Sequence, residues 1–200
     1  MSTDTNLPNR RSIRLKNYDY TQEGSYFITL VSQDRLHLFG KIEDGKMILN
    51  SVGKIVEEEW KKTLELRSNI TLGEYIIMPD HMHMIITIHS QIKSIATEEW
   101  IHSNPKSPSH TIGAIIRGFK GASTKKINLF LNSTGELPFA PTSELPFAQK
   151  DLPFAPTTEF YKNKIFQRNY YEHIIRDQAD YNRIEQYIID NPINWKRKKG

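Results

Sequence analysis

The apolar and polar positions of the chain switch repeatedly between the period of a strand and that of a helix. Ser25–Ser32 (SYFITLVS) is β-branched and aromatic, follows Gly24, and predicts a strand. Leu38–Ile42 and Lys46–Leu49 predict a short strand pair, with Asp44-Gly45 as its hairpin turn. Ser51 then stands where an N-cap is wanted, and Val52–Leu66 predicts a helix. Val52, Ile55, Val56, Trp60 (with Thr63) and Leu64 share one face of it, with Glu57–Glu59, Lys61 and Lys62 outside. Glu74–Met78 predicts a strand, Pro79-Asp80 breaks it, and His81–Ile88 predicts another. So short a break implies an antiparallel pair. Thr111–Leu131 predicts a helix, weakened by Gly113, Gly118 and Gly121. Gln167–Ile175 is expected to be extended. Asp177–Asp190 predicts a last helix with Asp177 as N-cap and an apolar stripe of Tyr181, Ile184 and Ile188. Pro192 is expected to end it.

Between these elements the pattern lapses. Residues 1–9 are polar and are expected to be disordered, and residues 89–110 form a Ser/Pro/His loop. Residues 132–160 carry an imperfect triplicate, Glu136-LPFAPT, Glu144-LPFAQK and Asp151-LPFAPT, at spacings of eight and seven. That is far below the roughly 20–50 residues of a solenoid repeat. A flexible insert in a single domain spanning residues 10–195 is the simplest reading, with a docking peptide as the alternative.

Composition narrows the class. The chain has 200 residues and no cysteine, which excludes disulfides, thiolate zinc sites and cysteine nucleophiles. No apolar run approaches the roughly 20 residues of a membrane span. No secretory signal pattern opens the chain, so a cytoplasmic protein is expected. The net charge of +4 is modest, but the cations cluster: Arg10, Arg11, Arg14 and Lys16; Arg117, Lys120, Lys125 and Lys126; and the tail from Lys196 to Lys199. Such clusters suit a polyanion, nucleic acid above all, or a merely solvated surface.

The residues most able to carry chemistry lie in Pro79-Asp-His-Met-His-Met-Ile-Ile-Thr-Ile88. On a strand Met82, Met84, Ile86 and Ile88 make one apolar face. His81 and His83 then project together from the other, about 6.5–7 Å apart along the backbone. Two such imidazoles can close on one divalent ion or remain ordinary half-exposed histidines. Without cysteine, two histidines plus an oxygen ligand suit Mg²⁺ or Mn²⁺ at a phosphate-handling site. The last helix can supply oxygen: Tyr187 and Asn191 are four residues apart and stack on one helical face. A tyrosine beside a metal can attack a phosphodiester and form a phosphotyrosine link, conserving the bond energy for rejoining. Tyr170, Tyr171 and Tyr181 are rival phenols, Tyr181 the one expected in the core.

His81-Met82-His83 resembles the HUH motif (His, hydrophobic, His) of single-strand DNA endonucleases. Met78-Pro79-Asp80 before it and Tyr187-Ile-Ile-Asp-Asn191-Pro192 near the end are similar to the REP-associated tyrosine transposases, single-tyrosine transposases of the insertion-sequence type. So are Arg14-Leu-Lys-Asn-Tyr-Asp-Tyr20, Gly24-Ser-Tyr-Phe-Ile-Thr29, Leu38-Phe-Gly40 and Phe166–Arg176. The resemblance covers about residues 10–131 and 160–195. It implies a ferredoxin-like α+β fold with an antiparallel sheet. It also implies Mg²⁺- or Mn²⁺-dependent cleavage and rejoining of single-stranded or hairpin DNA from palindromic repeats. By motif, His81 and His83 become metal ligands, Tyr187 the nucleophile and Asn191 the third ligand, where mobile-element relatives usually carry glutamine. His173 becomes a DNA contact or a structural histidine. The Arg10–Lys16 arm, the Arg117–Lys126 helix and the tail become phosphate contacts, and Tyr18 and Tyr20 candidates for base stacking. The rivals are a hairpin-binding module without cleavage, another HUH nuclease such as a replication initiator or relaxase, and an interaction protein organised around the LPFA repeats. Whether the protein is a monomer or a homodimer stays open.

Overall fold

The computed structural model describes residues 23–89, 111–134 and 164–195. The Arg10–Lys16 arm, Tyr18, Tyr20, the LPFA copies and Lys196–Lys199 lie outside them.

Strands β1 (Gly24–Val31), β4 (Ile70–Ile77), β5 (His81–Ile88) and β6 (Tyr171–Ile175) form one sheet in the order β4-β5-β1-β6. Every neighbouring pair in it is antiparallel. Helix α1 (Ser51–Glu65) crosses from β1 to β4, and α2 (Ile112–Thr134) lies between β5 and β6. Strand, helix, two strands, helix, strand in this spatial order is the ferredoxin-like α+β arrangement. Strands β2 (Gly40–Glu43) and β3 (Lys46–Leu49) form a separate ribbon. Asp44 (φ 47°) and Gly45 (φ 73°) turn it, the left-handed pair that a tight hairpin requires.

Alternation along the strands divides the sheet's faces. Tyr26, Ile28 and Leu30 of β1 and Met82, Met84, Ile86 and Ile88 of β5 are buried with Val52, Val56 and Trp60 of α1 and Ile112, Ile115, Phe119, Ile127 and Leu131 of α2. The apolar repeat of α2 along this core outweighs the helix penalty of its glycines. The opposite face carries a smaller cluster. Phe27, Ile85 and Ile175 pack there against Ile184 and Ile188 of α3 (Gln178–Ile189). Gly73 sits where β4 shifts register, and a Cβ there would come within 2.7 Å of the Tyr181 hydroxyl. The absence of a side chain is what lets α3 settle on this face.

Several local expectations are corrected. The cap of α1 is Asn50, not Ser51: its side chain accepts from the Gly53 N–H at 2.8 Å, while Ser51 is already helical. Leu64, expected on the inward face, is 47% exposed, whereas Thr63 is buried there as expected, its hydroxyl donating to the Glu59 carbonyl. Strand β2 starts at Gly40, because Leu38 and Phe39 are buried in the core and bonded elsewhere. β4 begins at Ile70 rather than Glu74 and crosses its bulge intact. β6 is confined to Tyr171–Ile175. Helix α2 runs three residues into the expected insert, with Ser133 and Thr134 hydroxyls donating to the Phe130 carbonyl. Asp177 caps α3 as expected, accepting from Asp180 N–H at 2.8 Å. The helix ends at Ile189, and Pro192 opens a further turn, α4 (Asn191–Asn194), where its missing N–H leaves no partner unmet.

Candidate active site

Register assembles the site. Tyr171 of β6, Thr29 of β1, His83 of β5 and Ile76 of β4 are successive cross-strand neighbours. They lie in one row on the face that carries α3. His81 is opposite Val31 two positions along. The face that buries Met82 and Met84 therefore turns both histidines toward α3, as alternation requires.

The histidine rings meet, with Nε2 of His81 3.1 Å from Nε2 of His83. Each Nδ1 is engaged from behind. His81 Nδ1 is 2.5 Å from Asp80 Oδ1, and His83 Nδ1 is 2.8 Å from Thr29 Oγ1. An ionised carboxylate only accepts, so His81 Nδ1–H is the donor to Asp80, and in the neutral ring the Nε2 lone pair faces the cavity. A hydroxyl both gives and accepts. The assignment that satisfies every atom has Thr29 donating to His83 Nδ1 and His83 Nε2–H donating to His81 Nε2. Were a cation to take both Nε2 lone pairs, Thr29 would need only to rotate its hydroxyl and accept. Histidines backed by oxygen partners are the usual support of metal-binding imidazoles.

Asp80 is buried. Burial pushes its carboxyl upward, but the hydrogen bond from His81, with the charges of His81, His37 and Arg35, outweighs this and holds it below the usual value. A depressed folded value stabilises the fold fully above the ordinary carboxyl pKa of 3.8. That stabilisation is lost as pH falls through the lower, folded value. The urea midpoint of the wild type should therefore drop more steeply on acidification below that range than the midpoint of Asp80→Asn. Parallel slopes would contradict the assignment.

Helix α3 brings Tyr187 to the pair, its Oη 3.4 Å from His83 Nε2. Its ring stands edge-on to His83 (centroids 5.2 Å) and to Phe27 (6.1 Å). Tyr187 flanks the stripe of Ile184 and Ile188 and stays 40% exposed, so its hydroxyl faces a cavity rather than the core. That cavity, about 310 Å³, is lined by Thr29, Arg35, Asp80, His81, His83, Tyr187 and Trp195, together with Val31. Trp195 stacks near His81, centroids 5.7 Å apart. A second cavity of about 440 Å³ shares Thr29, His83 and Tyr187 and extends past Tyr171, His173 and Arg183. The two cavities have the Tyr187 phenol as a common wall.

The rival tyrosines separate. Tyr170 packs on the larger core and Tyr181 on the smaller. Tyr171 is 58% exposed and lines the second cavity. Asn191 is 2% exposed and outside the set lining the first cavity; its Nδ2 is 3.5 Å from the Tyr187 carbonyl. It begins α4 rather than continuing α3, but its Oδ1 is buried without a hydrogen-bond partner. Among the described residues no group of three or more His, Asp or Glu side chains could hold a metal ion. His173 is engaged by Asp180 (Nε2 to Oδ2, 2.9 Å), which also binds Arg183.

The cations of α2 do not form one stripe. Lys126 pairs with Glu59 at 2.7 Å and Glu58 at 3.6 Å on α1. Lys120 is partly buried and donates to the carbonyls of Gln167 at 2.5 Å and Arg168 at 3.1 Å. Arg117 and Lys125 are exposed. Both Lys120 and Lys126 are thus committed within the fold. Lys120→Met should cost about 1–3 kcal/mol in urea unfolding, the penalty for stranding those carbonyls. Its effect on DNA affinity should be no larger than that of Lys125→Met; a larger affinity loss with unchanged stability would restore it as a phosphate contact.

Of the polar and aromatic residues lining the first cavity, four escaped sequence reading. Thr29 was signalled by being a polar residue in the middle of an apolar strand, and Asp80 by adjacency to His81. Arg35 and Trp195 had no local signal.

An α+β sheet thus sets paired histidines against a helical tyrosine, and its fold has counterparts among known proteins. No family profile matches the chain. Among solved structures it is similar to that of a REP-associated tyrosine transposase bound to a REP hairpin: TM-score 0.50, 17% identity, 91% of this chain and 74% of that one. The fold is that of the REP-associated tyrosine transposases. By sequence the chain is 36% identical over 195 residues to an uncharacterized protein of Haemophilus influenzae, a match spanning 96% of this chain and 92% of that protein. The chain belongs to one family with that Haemophilus protein. Among the described residues no helix is long and apolar enough to cross a membrane.

Proposed function

We propose that the protein is a transposase of the REP-associated type, a divalent-metal-dependent endonuclease and strand transferase for single-stranded or hairpin DNA from palindromic repeats. The observation that carries this reading is the approach of Tyr187 Oη to within 3.4 Å of the paired imidazoles. His81 and His83, with Asn191 as the oxygen donor, would hold Mg²⁺ or Mn²⁺. When bound, the ion would polarise the scissile phosphate and lower the proton affinity of a phenol whose ordinary pKa is about 10.

The residues of the chain do the rest. Asp80 and Thr29 hold the two rings by their Nδ1 atoms, which keeps the two Nε2 atoms side by side, 3.1 Å apart. Phe27 fixes the tilt of Tyr187. Tyr187 Oη forms a bond to phosphorus as the bond from phosphorus to one sugar oxygen breaks. The phenol proton ends on the departing hydroxyl. One phosphate ester replaces another, so the reverse attack by a strand's hydroxyl rejoins DNA without ATP. The second cavity, with Tyr171, His173 and Arg183, would take the unpaired strand flanking the hairpin.

The test uses single-stranded oligonucleotides with a fixed hairpin and randomised flanks, incubated with Mn²⁺. A protein–DNA adduct that survives denaturation, mapped by mass spectrometry to the Tyr187 peptide, is expected. Tight hairpin binding with no adduct from any flank would reduce the protein to a binding module.

A further inference from the structure

After β1 the chain turns through Gln33–Arg35, a single 3-10 turn. Asp34 (φ 54°, ψ 24°) and Arg35 (φ 55°) both lie in the left-handed region. Aspartate tolerates that region because its short polar side chain can bond locally, and Gln33 Nε2 indeed donates to Asp34 Oδ1 at 2.8 Å. Arginine has no such compensation, so its conformation is imposed from outside. Ser32, fully buried, donates its N–H to the Asp80 carbonyl at 2.9 Å and its hydroxyl to the Leu36 carbonyl at 2.7 Å. Gln33 N–H donates to the Ile165 carbonyl at 2.8 Å, and Arg35 N–H back to Ser32 at 3.2 Å. The turn is bolted to the residue that orients His81.

The constraint delivers Arg35 to the wall of the histidine–tyrosine cavity. Of the described side chains lining that cavity, Arg35 alone carries a permanent positive charge. Its side chain is 70% exposed, and Nη1 is 3.8 Å from Asp80 Oδ2, beyond hydrogen-bond length. Asp80 has its other oxygen on His81. The guanidinium is thus steered by a carboxylate without being consumed by it. A backbone held in a sparsely populated conformation beside a reactive cavity suggests a functional placement.

We infer that Arg35 grips the scissile phosphate, its N–H groups bonding a non-bridging oxygen while phosphorus passes from the sugar oxygen to Tyr187 Oη. This rests on the reading of Tyr187 as nucleophile. Attack on a diester adds negative charge to the non-bridging oxygens, and a planar guanidinium matches them in shape as well as charge. Arg35 neither gives nor takes a proton; the phenol proton still ends on the departing hydroxyl. Because the grip tightens as charge builds, it acts on rate more than on affinity.

The experiment compares wild type with Arg35→Ala, Arg35→Gly and Arg35→Lys on hairpin oligonucleotides with randomised flanks and Mn²⁺. Single-turnover adduct formation and hairpin affinity are both read. Adduct formation by Arg35→Ala and Arg35→Gly should slow by about 100-fold or more. Hairpin affinity should stay within about threefold, since most contacts to a nucleic acid backbone lie elsewhere. Arg35→Lys should recover only part of the rate, and added guanidinium ion should partly rescue Arg35→Ala. Arg35→Gly, freed of the left-handed penalty, should unfold at the wild-type temperature or above it, which separates a loss of rate from a loss of fold. Wild-type rates in Arg35→Ala, or equal losses of rate and affinity, would overturn this inference and leave Tyr187 standing. No adduct from the wild type would overturn both.

Discussion

Tyr187→Phe should eliminate the covalent protein–DNA adduct while leaving the hairpin complex nearly intact. The substitution removes one oxygen, the atom placed 3.4 Å from His83 Nε2. The ring's edge-on contacts with Phe27 and His83 involve its carbons and remain. Loss of a nucleophile is expected to cost at least about 10⁴-fold in rate, because no neighbour replaces it. Tyr171 is the nearest alternative by placement, but it borders the second cavity and is not among the residues lining the one that holds His81. The stability change should stay within about 0.5 kcal/mol, as for other partly exposed sites. Denaturing gels report the adduct, and filter binding reports the complex. An adduct of undiminished yield in Tyr187→Phe would refute the assignment.

The second large effect concerns the imidazoles. His83→Ala should abolish cleavage and weaken Mn²⁺ binding, followed by calorimetry, by more than the roughly 10–100-fold that outer partners of a metal site contribute. Chelator should reproduce the loss of cleavage in the wild type while sparing much of the hairpin binding. His81→Ala should act alike on the metal but differ in stability. It leaves Asp80, buried and hydrogen-bonded to that ring, without its donor, a loss of about 1–3 kcal/mol. His83→Ala strands no buried carboxylate: it takes a partner from the Thr29 hydroxyl, from His81 Nε2 and from the Tyr187 hydroxyl, all neutral groups at part-buried contacts, and should cost less. Cleavage that persists in chelator, or Mn²⁺ affinity unchanged in both variants, would remove the metal from the mechanism.

The elements of the sheet were legible where one period dominates. His81–Ile88 was bounded to the residue, since one face is apolar at every second position from Met82 to Ile88 and Pro79-Asp80 stands before it. Caps and strand ends were less legible because they depend on partners remote in sequence. Asn50 rather than Ser51 caps α1 in part because its amide also donates to the Leu38 carbonyl, twelve residues back. β4 starts early because β5 offers its edge to Ile70 and Thr71. The charges of α2 misled for the same reason. A lysine in a basic run looks available to phosphate, yet Lys126 and Lys120 are taken by Glu59 and by two carbonyls near residue 167.

By itself the sequence determined that His81 and His83 share a face, because side chains on a strand alternate whatever surrounds them. It likewise determined that Tyr187 rides beside an apolar helical stripe. Only the tertiary structure decided that these faces meet. The register Thr29 to His83 and Tyr171 to Thr29, the seat that Gly73 leaves for α3, and the strained turn carrying Arg35 are settled by packing between distant segments. Periodicity is a local property of the backbone, whereas the distance between two faces depends on every layer packed between and around them.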